Sequence, residues 1–264
     1  MQFEGSNMEY SDAGYKNIEM IEILDGVKSV KFIPVSREHH FDIFLNGEYF
    51  STMSCSGSNL KEMVLGHLVS EAVFIRDITN EIKISPESSR IDVTAEGIAD
   101  RTEGSRMIHS AGGYGRKSMP DESCIRKSLP EISAEIIDPM MTEFLKISIE
   151  HELTGGVHSS AVYDLKGRRV AFFDDIGRHN AFDKSIGFLI ENKIEILDKI
   201  ILTTGRVSAE IALKSIRSGA PVLVSRASPT TMGVELLRSY NMTALCRARG
   251  RGFLVINGAE RIKC

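Results

Sequence analysis

Apolar residues recur along this chain in two rhythms. Between Val27 and Phe50 the segments VKSVKFIPVS and HFDIFLNGEYF alternate apolar and polar positions around an Asn46-Gly47 pair, which predicts paired strands and a tight turn. From Leu60 to Ala72 the apolar residues Leu60, Met63, Val64 and Leu68 fall at helical spacing, predicting one helix. EIKISPESSRIDVTAE returns to alternation and reads as another hairpin. The first twenty or so residues, polar and rich in Gly, Ser and Asn, read as a frayed arm.

Past residue 131 the rhythm becomes a regular exchange of strand and helix. Helices are predicted at Asp138–Glu150, Phe182–Asn192, Ser208–Ser218 and Pro229–Tyr240. Strands are predicted at Ser159–Tyr163, Arg169–Asp174, Lys199–Thr204, Pro221–Ser225, Thr243–Cys246 and Gly252–Ile256. Strands separated by helices of this length imply βα crossovers and a mainly parallel sheet. The stretch between the halves, rich in Gly, Ser and charge, shows no stable period. The expected organisation is a strand-rich α+β amino unit over 20–105, a loop over 106–130 and an α/β unit over 131–264, α+β overall.

Composition narrows the function. The 264 residues are 42% hydrophobic and 26% charged, with 32 Lys and Arg against 36 Asp and Glu, a net charge of -4. A general nucleic-acid binder would carry a basic surplus, so neither that class nor a membrane protein is expected. The opening residues show no basic and apolar leader. The four cysteines, Cys55, Cys124, Cys246 and Cys264, include no CxxC pair. Reduced thiols in a cytoplasmic protein are the expectation.

Three stretches carry candidate chemistry. Gly155-Gly156-Val157-His158 could let backbone approach a ligand, or be a simple turn into a strand. Asp174-Asp175-Ile176-Gly177-Arg178-His179-Asn180, continuing to Asp183-Lys184, is dense in ionisable groups. Arg178 and His179 could bind an anion at a strand's carboxyl end, or the charges could neutralise one another on a solvated face. The histidines show no metal-binding spacing, so no metal site is expected.

The third stretch is the last third of the chain. Thr204-Gly205-Arg206-Val207-Ser208 and Ser225-Arg226-Ala227-Ser228-Pro229 each follow a strand and open a helix, with Ser228 suited to the N-cap and Pro229 to N1. Arg247-Ala248-Arg249-Gly250-Arg251-Gly252 follows. If extended, it sets its three arginines on one face about 7 Å apart, a spacing suited to a diphosphate. The bland alternative is a basic edge strand.

The runs TGGVHSSAVYDLKGRRVAFFDDIGRHNAFDKSIG, TTGRVSAEIALK, SGAPVLVSRASPTTMGVEL and TALCRARGRGFLVING resemble, in that order, the formate dehydrogenase accessory family of FdhD/NarQ-type sulfur carriers. The resemblance is nearly unbroken over 153–256 and looser before it. It implies a sulfurtransferase that takes persulfide sulfur from a cysteine desulfurase and passes it to a molybdenum bis(molybdopterin guanine dinucleotide) cofactor destined for formate dehydrogenase. It also implies a homodimer, a cytidine-deaminase-like carboxy unit without zinc, and cofactor contact along Arg247 to Gly252. Arg206, Ser208, Arg178 and His179 join that site as candidates.

One departure matters. Where the family carries a CxxC, this chain has Ala111 and Tyr114. Neither can hold a persulfide, which needs a reactive thiolate. Cys124, near Arg126 and Lys127, is the candidate substitute catalytic thiol, and an incidental cysteine is its rival reading. The alternative function is a cofactor-binding chaperone that has lost sulfur transfer. A third possibility, a hydrolytic deaminase, would need zinc.

Overall fold

The computed structural model describes residues 14–71, 81–95, 119–120, 124–125, 128–250 and 252–264. Two hairpins open the chain. Strands β1 (Tyr15–Leu24) and β2 (Val27–Ser36) pair antiparallel around Asp25-Gly26, and β3 (His39–Leu45) and β4 (Glu48–Cys55) around Asn46-Gly47. All four turn residues have positive φ, the conformation that Asx-Gly pairs supply most cheaply in two-residue hairpins. The alternation read from Val27 onward was correct, but the partner of Val27–Ser36 is Tyr15–Leu24. The last six residues of the arm expected to fray, Tyr15–Met20, are therefore strand.

After helix α1 (Leu60–Ser70) come β5 (Glu81–Ser85) and β6 (Arg90–Thr94), the expected hairpin. They complete a sheet of order β4-β3-β6-β5, in which β3 and β6 run parallel. Phe41, Ile43, Leu45, Met53, Ile91 and Val93 bury one face of it beneath Met63, Val64 and Leu68 of α1.

The second half begins with β7 (Ile132–Ser133), α2 (Ile137–Ile147) and α3 (Ile149–Thr154). Then follow β8 (His158–Asp164), β9 (Arg169–Asp175), α4 (Arg178–Glu191), β10 (Lys199–Thr203), α5 (Ala209–Ser218) and β11 (Val222–Ser225). The chain closes with α6 (Thr231–Ser239), β12 (Thr243–Arg249), β13 (Gly252–Asn257) and β14 (Ile262–Lys263), which pairs with β7. The six-stranded sheet has the order β13-β12-β11-β10-β8-β9. Only β10, β11 and β12 are mutually parallel partners; β8–β9, β8–β10 and β12–β13 pair antiparallel. The expected mainly parallel sheet is thus mixed: α5 and α6 join parallel neighbours and α4 carries the chain from β9 past β8 to β10, but β8–β9 and β12–β13 are hairpins.

Helices cover both faces. Phe182, Ile186, Ile211, Ala212, Leu236 and Leu237 from α4, α5 and α6 bury one face, and Met140, Met141 and Phe144 of α2 the other. The predicted helix 138–150 is two helices. Ser148 ends α2 in extended backbone and caps α3, accepting a bond from the His151 amide. Helix α6 is capped by Thr230, whose hydroxyl accepts the Gly233 amide at 3.2 Å, two residues beyond the expected Ser228.

The amino unit docks through α1 on α4, and glycines permit the approach. A Cβ on Gly66 would lie 1.8 Å from the Asp183 carbonyl oxygen, and one on Gly187 the same distance from that of Glu62. The two backbones meet where no side chain could fit.

Candidate functional site at the carboxyl edge of the sheet

The carboxyl ends of β9, β10, β11 and β12 and the amino end of β8 share one edge of the six-stranded sheet. Such an edge is the usual ligand crevice of an open α/β sheet. Its loops are tied together laterally. Thr204 N donates to Ser159 O, Arg226 N to Thr203 O, Thr230 N to Val207 O and Arg247 N to Ala227 O, all at 3.0–3.1 Å. The Ser225 hydroxyl donates to Gly205 O and accepts the Ala227 amide, bracing two of the loops from below. This lacing sets the residues after successive strands side by side, about 5 Å apart per strand.

Arg206, Arg226, Arg247 and Arg249 are exposed on this edge, and none forms an ion pair among the described residues. Ser208, expected as the first residue of this helix, is the N-cap of α5. Arg247 has φ +51°, and the β12–β13 register shifts between Cys246 and Arg249. The bulge restores the core. Leu245 and Ala248, three residues apart, both pack towards α2, while Arg247 and Arg249 both reach solvent. Gly250, at φ +59°, and Gly252 leave open space beside the backbone, so an anion can reach it. Arg251 lies outside the described residues.

Arg178 opens α4 and its stem crosses Gly205, where a Cβ would come within 2.9 Å of the Arg178 Cβ. Its Nε is buried with no hydrogen-bond partner. His179 Nε2 lies 3.0 Å from Glu210 Oε2, linking α4 to α5. His158 is half-buried, with Nδ1 3.3 Å from Thr204 Oγ1. Burial, followed by Arg178, His151 and His179, holds its imidazole below the usual histidine range and so neutral near pH 7.

Most charges of the Asp174–Lys184 run are absent from the edge. Asp175 is fully buried and accepts five bonds, from Gly177 N, Asn180 Nδ2, Ser56 N, Ser56 Oγ and Lys184 Nζ. Lys184 also donates to Asp174 O at 2.9 Å. Asp174 accepts from the Ser148 and Ser159 hydroxyls at 2.6 Å. Asp183, also fully buried, accepts Lys214 Nζ at 2.7 and 2.8 Å and the Ser70 hydroxyl at 2.9 Å. Burial opposes its ionisation, yet Lys214 and His67 outweigh that and hold its carboxyl below the usual range. These groups join the two halves of the molecule and leave Arg178 and His179 to the site. They also start α4 at Arg178, four residues before the expected position.

The thiols stand elsewhere. Cys55 and Cys246 are buried, and burial pushes both up, Cys55 to about 11. Cys124 packs among Leu129, Ile216, Ala220, Tyr240 and Met242. Ala220 and Met242 precede β11 and β12, so Cys124 lies at the opposite end of the sheet from Arg249, roughly 20 Å away by strand rise. Cys264 is exposed. Ala111, Tyr114, Arg126 and Lys127 fall outside the described residues.

Sequence reasoning gave little weight to Thr204 and Ser225, which carry the loop bracing. Their one signal was their place at strand ends just before Gly-Arg and Arg-Ala.

No described helix is long and apolar enough to cross a membrane. The model of the FdhD/NarQ family matches residues 36–263. Proteins called sulfur carrier protein FdhD from Staphylococcus aureus strains JH9 and Newman are each 36% identical over 237 residues, covering 85% of this chain and 88% of theirs. A crystal structure from Desulfotalea psychrophila, described as a formate dehydrogenase accessory protein, superposes with a TM-score of 0.77. It covers 95% of this chain and 100% of its own at 24% identity, which establishes likeness of fold. By motif order and by a match running from β2 to β14, the chain belongs to the FdhD/NarQ family.

Proposed function

We propose that this protein is a sulfur-carrier-type accessory protein for formate dehydrogenase. It receives sulfur from a cysteine desulfurase and handles the molybdenum bis(molybdopterin guanine dinucleotide) cofactor as cargo, in the cytoplasm. The carrying observation is the edge of exposed arginines, Arg206, Arg226, Arg247 and Arg249, beside open backbone at Gly250 and Gly252. Guanidinium groups spaced by strand separation suit a diphosphate, which the cargo contains. Arg178, His179 and Ser208 frame the same edge. A cytidine-deaminase-like description of the carboxy unit belongs to this reading; the three-layer arrangement of sheet and helices supports it.

The test is equilibrium binding of GDP at two salt concentrations. Arg249→Ala should weaken binding roughly tenfold or more, the worth of one charge-assisted contact, and flatten the salt dependence. Binding by Arg206→Ala and Arg249→Ala as tight as wild type would sink the phosphate assignment.

One observation favours the second reading, a cofactor chaperone without sulfur transfer of its own. Two thiols are buried and Cys124 stands at the far end of the sheet from the arginines. A persulfide trap separates the two. The chain is incubated with desulfurase and cysteine, alkylated, and mapped by peptide mass spectrometry. Added sulfur on Cys124, lost in Cys124→Ser, supports the carrier; no added sulfur on any cysteine supports the chaperone.

A further inference from the structure

His158, the first residue of β8, stands at the arginine edge beside a hydroxyl that can serve its ring in either charge state. Its Nδ1 lies 3.3 Å from Thr204 Oγ1, which accepts the Ser159 amide at 3.0 Å and has Ser159 O within 3.4 Å. A hydroxyl offers one proton and two lone pairs. With the imidazole neutral, Thr204 donates its proton to Nδ1, which places the ring's own proton on Nε2. With the imidazole charged, Nδ1–H donates to Thr204 and the hydroxyl proton turns to Ser159 O. Ser159 O keeps the Thr204 amide throughout, so no polar atom loses its partner in the exchange. Nε2, on the far side of the ring, bonds to no described residue.

The protein's own groups favour the neutral ring. Arg178 and His179 open α4, and the Arg178 stem lies over Gly205, the residue after Thr204. His151 of α3 turns its Nδ1 to Val157 O, next to His158. Arg206 is exposed in the same loop as Thr204. The carboxylates nearby are each held by donors of their own. Asp175, the register partner of His158 on β9, is fully buried against Lys184 Nζ at 2.7 Å. Asp174 accepts the Ser148 and Ser159 hydroxyls, and Glu210 of α5 lies 3.0 Å from His179 Nε2. Burial, then Arg178, His151 and His179, disfavour a charge on His158.

A diphosphate among these groups reverses the balance, because negative charge close to the ring favours imidazolium, and Thr204 is already placed to accept its proton. We infer that His158 couples ligand binding at this edge to a proton: it takes one from solvent as a diphosphate settles beside Arg178 and Arg206, and returns it when the diphosphate leaves. The inference rests on the cofactor reading and adds a regulation to it. Cargo is held more tightly as pH falls.

The probe is GDP-mannose, whose diphosphate is esterified at both ends and does not titrate near neutrality. Isothermal titration calorimetry of the full chain, in two buffers of unlike ionisation enthalpy, reads the protons exchanged. Uptake should reach roughly half a proton or more per ligand near pH 7, and affinity should fall roughly tenfold from pH 6 to pH 8. His158→Gln keeps a donor but cannot titrate. At pH 8 it should bind within about threefold of wild type, and at pH 6 roughly tenfold more weakly than wild type, with no proton exchanged. Circular-dichroism melts confirm folding. A variant weakened equally at both pH values marks a purely structural histidine and would overturn the inference, as would wild-type binding without proton uptake; either result leaves the arginine reading standing. Failure of GDP-mannose to bind at any pH overturns both.

Discussion

Lys214→Met is the most informative single perturbation of the fold. Lys214 Nζ donates to both oxygens of Asp183 and to the Ser70 hydroxyl at 2.7–2.8 Å. The Glu71 carboxylate stands 3.7 Å away and the His67 ring 3.4 Å from Asp183. Removing the ammonium leaves a carboxylate of zero exposure with a hydroxyl and an imidazole for company. Breaking a buried pair from one side costs about 3–5 kcal/mol, a large share of the roughly 5–15 kcal/mol that holds a domain together. At about 2–4 °C per kcal/mol for a chain of this size, the melting temperature should fall by roughly 6–20 °C.

The sign of the pH dependence follows from Asp183. In wild type its carboxyl lies below the usual range, so its contribution is present above the unfolded carboxylate range and is lost as pH falls through the depressed folded value. In the variant the depressing cation is gone and burial pushes the same carboxyl up, so acidification favours the folded, neutral acid. The stability gap between wild type and Lys214→Met should therefore narrow from pH 7 towards pH 4.5. Urea titrations of both proteins at several pH values measure it. A gap below about 1 kcal/mol at pH 7, or one that stays constant with pH, would refute the claim that Asp183 is held ionised in the interior by Lys214.

Other substitutions test other links. Gly66→Val places a side chain 1.8 Å from the Asp183 carbonyl and must separate α1 from α4; a thermal melt should show a loss of several kcal/mol, more than overpacking alone usually costs. Gly205→Val sets a side chain 2.9 Å from the Arg178 Cβ, an atom fixed to the start of α4, so GDP affinity should drop several-fold and the melting temperature should fall with it, by less than for Gly66→Val, where the clash is with backbone at 1.8 Å. Thr230→Ala removes the α6 cap and should cost about 1 kcal/mol in urea unfolding, a size that an uncapped helix start would not show.

The βα alternation of the second half was legible because α2 and α6 each bury one stripe and β10 and β11 are short, buried and mostly apolar, so a single period states the element, while α4 and α5 are buried nearly all round and were marked by the strands and turns on either side. The helix start at Ser208 was legible within one residue for the same local reason. The β1–β2 hairpin was not. Its first strand, YKNIEMIEIL, carries apolar residues on both faces, so strict alternation fails. The arginine strand was half legible. A period of two placed Arg247 and Arg249 together, and they are together, but through a bulge at φ +51° that hands the core position to Ala248.

The Asp174–Lys184 run shows what local reading cannot reach. Its density of charge invited either a chemical site or a solvated, self-neutralised face, and neither describes Asp175, Asp183 or Lys184. Their partners, Ser56, Ser70 and His67, come from more than a hundred residues earlier, on the strand-to-helix turn before α1 and on α1 itself. Burial is what makes these charges costly, and burial here is created by the approach of α1 to α4 that Gly66 and Gly187 allow. Such a charge network fixes one docking of the amino unit, since any shift of α1 would strand a carboxylate in the interior. The fixed docking in turn holds the strand-to-helix turn at Gly177, and with it Arg178 across Gly205 at the arginine edge. The residues that look most chemical in the sequence therefore act on the site through position, and the exposed arginines, spread over two loops and the end of β12, supply its charge.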